Sequence, residues 1–138
     1  MAPVYLDPFL AAVRDNEIAQ VAIIAVLFLI VLDVVFGLLN AFMHKEYSSD
    51  KMRAGIAHKC AELGFILVGI VADATIIGGF DLGFNAPVLV SICLYLALME
   101  IGSLMETFSE MNPELAHSPL FQLLSTVQDM TVESTDED

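Results

Sequence analysis

Residues 19–42 form one apolar run, and Asp33 near its middle is its only charged side chain. A helix needs about 20 predominantly apolar residues to cross a hydrocarbon core of roughly 30 Å. Within lipid, only a helix or a closed barrel satisfies its own backbone N–H and C=O groups. Two further runs follow, residues 60–80 with Glu62 and Asp73 and residues 87–105 with Glu100. The pattern predicts three transmembrane helices, each carrying at least one acid. An ionisable side chain at bilayer depth is expensive and faces a bundle interior or a water-filled cavity. These acids are therefore the first candidates for function.

An apolar content of 57% in 138 residues, with no tryptophan, exceeds what a soluble core of this size requires. The surplus lies in the three runs. The first run is too long for a cleavable signal peptide, has only Arg14 as a basic residue before it and lacks a small-residue cleavage pattern, so it is expected to persist in the mature protein. Cys60 and Cys93 fall in or at the edge of spans and read as small apolar residues rather than a disulfide pair.

A net charge of −13 lacks the basic footprint that nucleic acid or an anionic surface demands, so nucleic acid is excluded as a partner. Four of the five basic residues, Lys45, Lys51, Arg53 and Lys59, crowd into the connection between the first and second runs. Basic residues in short loops mark the cytoplasmic side. This orients the N-terminus outside and the C-terminus inside, in a multi-pass membrane protein.

The fold class expected is an all-α integral membrane protein with three transmembrane helices and a short cytoplasmic amphipathic C-terminal helix. Residues 1–17 form an external segment whose apolar patch at residues 9–13 suits an interfacial helix. The first transmembrane helix covers residues 18–43. Residues 44–59 are the basic connection and the start of the second helix, which Ser48, Ser49 or Asp50 can cap. The second span covers residues 60–80 and ends at Gly78 and Gly79, and residues 81–86 make an external turn. Pro87 suits the first turn of a third helix over residues 87–110, and Asn112 with Pro113 stops it. In the acidic cytoplasmic tail, residues 111–138, Leu120, Phe121, Leu124 and Val127 share one face of a helix over residues 119–130. The last residues, from Thr131 on, have a disordered composition.

On the first span Asp33, Gly37 and Asn40 stand at i, i+4 and i+7 and share a face. That face reads either as a packing seam with one polar clasp or as a pore-lining stripe. On the second helix Gly55, Lys59, Glu62, Gly69 and Asp73 trace another face, and Lys59 and Glu62 can pair at i, i+3. Counting the rise per residue places Asp33 about 15 Å and Lys59 about 13 Å deep. An Asp33 to Lys59 pair between helices follows, with Lys59 snorkelling to the surface as the competing reading. On the third span Glu100, Ser103 and Glu106 recur at i, i+3 and i+6, with Glu106 at the interface. No phosphate-binding loop occurs, and His44, His58 and His117 lack metal-ligand spacing. No enzyme, cofactor or metal site is read.

Leu32, Asp33 and Gly37 resemble the Leu-Asp-x-x-x-Gly signature in the first span of phage holins that include the clostridial toxin-secretion holins. Ser48 and Ser49, Gly55 and Lys59 resemble that family's entry to the second span, and Glu100, Ser103 and Glu106 its Glu-x-x-Ser-x-x-Glu close of the third. The resemblance covers about residues 30–107. It departs where Thr107 replaces a frequent Asn and where the tail is acidic instead of basic, so an account of how the tail times triggering does not carry over. The resemblance implies a protein that accumulates in the lipid bilayer of the bacterial cytoplasmic membrane, binds itself as a homo-oligomer and opens lesions releasing an endolysin or toxin. Two alternatives remain. A small ion-coupled transporter or channel subunit would use the acids as a relay, although no internal repeat is evident. A membrane anchor would recruit a basic cytoplasmic partner through its tail.

Overall fold

The structure, a computed structural model, describes residues 4–79 and 87–133. The turn expected at residues 81–86 and the last five residues of the tail lie outside the described residues. All regular structure among the described residues is helical: a 3-10 turn Val4–Leu6, then α1 (Asp7–Arg14), α2 (Glu17–Met43), α3 (Ser49–Ile77), α4 (Val88–Met111), α5 (Pro113–Ala116) and α6 (Pro119–Glu133). α2, α3 and α4 are each long and apolar enough to cross a membrane. The chain divides into two compact units, residues 1–28 with 48–97, and residues 29–47 with 98–138.

The polarity of the three long helices is inverted relative to a soluble bundle. Ile24, Phe28, Val31, Leu67, Val68 and Leu94 are exposed, whereas Glu62, Asp73 and Glu100 are buried. So much apolar surface turned outward is intolerable in water and natural in lipid. The chain is a multi-pass membrane protein.

In the first unit, α1 packs on α3. The residues between α1 and α2 form a corner built by two side chains. Asn16 Oδ1 accepts from Ala19 N–H at 3.1 Å and caps the start of α2. Gln20 Nε2 donates back to the Val13 and Arg14 carbonyls at 3.0 and 2.7 Å, satisfying acceptors that the end of α1 leaves open. Arg14 donates to both carboxylate oxygens of Asp15 at 2.8 and 3.1 Å. Those hydrogen bonds hold the Asp15 carboxyl below its usual range and raise the Arg14 guanidinium. α3 starts at Ser48, in extended conformation and without a side-chain cap bond. It ends where Gly78 N–H returns to the Ala74 carbonyl at 2.8 Å, and Gly79, at φ +115, takes the chain away in a conformation open to glycine.

In the second unit, α2 ends in a Schellman motif. Glu46 N–H reaches the Ala41 carbonyl at 3.1 Å and Lys45 N–H the Phe42 carbonyl at 3.4 Å, with Lys45 at φ 55 where glycine is usual. A cation there suits the negative end of the helix dipole. Asn112 caps α5 through Glu114 N–H at 3.2 Å, and Ser118 caps α6 through Phe121 N–H at 3.2 Å. Pro113 and Pro119 occupy the first positions of α5 and α6, where a missing N–H costs nothing. α6 runs three residues beyond the helix end expected at residue 130, because no Gly or Pro interrupts it.

Candidate functional site

Within the first unit, Lys59, Glu62, Ile66, Gly69 and Asp73 descend one face of α3, the four from Glu62 onward buried and Lys59 half-buried. Gly55, grouped with that face by spacing, is exposed with open space around it. Glu62 sits 2.9 Å from His58 Nε2 and 3.4 Å from Lys59 Nζ. Neither contact has hydrogen-bond geometry, and both carboxylate oxygens are buried without a hydrogen bond. Charge pairing along one helix therefore holds this acid. His58, set aside in the sequence for want of metal-ligand spacing, stands four residues before Glu62, and that spacing was the available signal.

Asp73 does something the spacing did not show. Its Oδ1 accepts from Val88 N–H at 3.0 Å, and both oxygens share the Leu89 N–H at 3.4 Å. Pro87 holds the N-cap position of α4, since its carbonyl accepts from Ser91 N–H at 3.0 Å, but proline has no side-chain acceptor to offer. The carboxylate on α3 supplies it, placing negative charge at the positive end of the α4 dipole. One turn earlier, Gly69 lets α4 approach so closely that a Cβ at that position would lie 3.0 Å from Leu89 Cα. Gly69 and Asp73 are thus one joint between α3 and α4. Cys93 is buried in the same unit, and Cys60 is exposed on α3.

Within the second unit, Asp33, Gly37 and Asn40 are all half-buried along α2. Asp33 is not without a partner. A Cβ at Gly37 would meet nothing within 4 Å. Asn40 Nδ2 donates to Glu110 on α4, while its Oδ1 is buried and accepts no bond. One turn away Phe36 and Phe108 meet edge to face, with ring centroids 4.8 Å apart, a contact worth about 1 kcal/mol. On α4, Glu100 is buried and partnered, Ser103 is half-buried, and Glu106 is exposed with only its carbonyl engaged, by Ser109 Oγ at 2.7 Å. The expected face thus resolves into a buried acid, an intermediate hydroxyl and an exposed acid. Glu110, which sequence reasoning used only as a helix end, is the residue that ties α4 to α2.

The arrangement gathers carboxylates inside helices whose outer faces are apolar, and it offers acid and amide contacts between helices. No group of three or more His, Cys, Asp or Glu side chains capable of holding a metal ion occurs among the described residues. No curated protein and no solved structure matches the chain. The family model of the bacteriophage holin family matches residues 17–128, which include all three long helices and the first two thirds of α6. With most of its length covered by that match, the chain belongs to the bacteriophage holin family.

Proposed function

We propose that the protein oligomerises in a bacterial cytoplasmic membrane and opens lesions through which an endolysin or a toxin leaves. It acts without catalytic chemistry. The observation that carries this reading is the inverted polarity: Glu62, Asp73 and Glu100 are enclosed within helices that present apolar faces to lipid. Helices of this kind hide their polar groups against one another in small assemblies. In a wider ring the same groups line an aqueous hole, where water removes the cost of enclosing them. The two arrangements need differ only slightly in packing for the population to shift. The N-terminus lies outside and the C-terminus inside, because Lys45, Lys51, Arg53 and Lys59 gather on one side.

Inducible expression in bacteria tests the reading. The expected result is a sudden loss of membrane potential after a delay, together with passage of a co-expressed lysozyme-like enzyme. Gradual ion flux with the enzyme retained would overturn it in favour of a transporter or channel subunit.

The depth match between Asp33 and Lys59 adds a second expectation, that the two side chains interact in the resting state. A double-mutant cycle with Asp33→Ala and Lys59→Ala, read as onset time of lysis, is expected to show coupling, with the double variant close to either single one. Additive effects would remove the pair from the mechanism.

A further inference from the structure

α6 has three flanks. Successive residues advance by about 100° around a helix, so Phe121, Ser125 and Gln128 fall on one narrow arc, and all three are half-buried. Gln122, Thr126 and Asp129 lie on a second arc and are exposed. Leu120, Leu123, Leu124, Val127 and Met130 fill a third, about 120° wide, with relative exposures of 67, 62, 37, 42 and 60%. A helix with protein on one side, polar groups on another and a bare apolar stripe between them fits a boundary between lipid and water.

The packed arc sets the depth of that stripe. Gln128 rests against Gly102, where its side-chain amide occupies the space a Cβ would fill. Gly102 stands nine residues before the end of α4 at Met111, and Gln128 nine residues after the start of α6 at Pro119. α6 therefore folds back beside α4 instead of trailing into water. The Asn40 to Glu110 bond and the Phe36 to Phe108 contact set the level of α4 against α2. The apolar run of α2 continues past Asn40 to Phe42. Gly102 lies eight residues before Glu110 on α4, about 12 Å further toward the bilayer centre. The middle of α6 is consequently level with hydrocarbon.

We propose that α6 lies beside α4 with its apolar stripe against the acyl chains of the leaflet where α4 ends, and with Gln122, Thr126 and Asp129 on the flank turned away from lipid, toward water. The partner is lipid. α6 contains no Lys or Arg, so apolar burial holds it there and anionic headgroups add nothing. The proposal rests on membrane placement and not on lesion formation, so either reading can fail without the other.

The chain contains no tryptophan, so one introduced indole reports one position. Full-length Leu123→Trp, Met130→Trp and Gln122→Trp proteins are reconstituted separately in phosphatidylcholine vesicles, with or without bromine on the acyl chains. The two stripe variants are expected to emit at short wavelength, to lose most of their emission to brominated lipid and to resist acrylamide. Gln122→Trp is expected to be quenched by acrylamide. The stripe pattern should not change with the ratio of protein to lipid or on adding anionic lipid. Acrylamide quenching of both stripe positions to the extent seen at Gln122→Trp would put the stripe in water and overturn the proposal. Protection from both quenchers that disappears as protein is diluted in the vesicle would overturn it in favour of a second copy. Having two stripe positions keeps the test decisive if one variant misfolds.

Discussion

Asp73→Ala is expected to destabilise the folded chain by about 2 kcal/mol, within the range for removing a charged acceptor from buried backbone donors. Three effects act together. The 3.0 Å bond to Val88 N–H is lost, as is the weaker sharing with Leu89 N–H. Pro87 cannot substitute as a cap, so the first N–H groups of α4 are left without an acceptor in surroundings where water is scarce. The favourable interaction with the helix dipole goes as well. Asp73→Asn keeps one oxygen acceptor and should recover about half of the loss. Unfolding of the micelle-solubilised protein, followed by helical circular dichroism, measures both. A carboxylate that merely lined a pore would give the opposite pattern, with unchanged unfolding and altered lesions.

The second large effect separates folding from assembly with the same substitution at two glycines. Gly69→Leu is expected to cost about 1–3 kcal/mol or more by overpacking, because even a Cβ there would press on Leu89 Cα and on the Leu89 and Ile92 side chains. Gly37→Leu meets open space in the single chain and gains the helix preference that glycine lacks, about 0.5–1 kcal/mol. Its fold should be unharmed. Any change in lysis timing caused by Gly37→Leu therefore reports a contact made with another copy. The expected outcome is a large shift or complete loss of lysis for Gly37→Leu with normal unfolding, and a parallel timing shift for Asp33→Asn. Wild-type timing in both would count against a mechanism centred on this face of α2.

The helical membrane architecture was legible in the sequence because hydrocarbon imposes a length and a composition on any segment that crosses it. Asp33 in its apolar run, and Glu62, Asp73 and Glu100 in theirs, also announced polar groups with an inward destination. What the acids do once inside was not legible. Asp73 and Val88 stand 15 residues apart in the chain, and only the return of α4 alongside α3 brings the carboxylate to the proline-bearing helix start. Helical periodicity gives the face of a residue but not the height of its neighbour on the next helix. For the same reason Asn40 revealed nothing of Glu110, and Gly102 nothing of Gln128. The His58 and Lys59 contacts with Glu62 lie within one helix and belong to the readable kind.

The corner at Asn16 and Gln20 bears on how the spans can part. Gln20 fastens the last carbonyls of α1 to the first turn of α2, and α1 in turn lies on α3. α1 acts as a clamp across one end of two spans, held to α2 by the Gln20 bonds and to α3 by packing. At the opposite end the five residues between Met43 and Ser49 join α2 to α3 through the chain itself, so neither end of the pair can swing open alone. A parallel slot would first require Gln20 to release its two carbonyls.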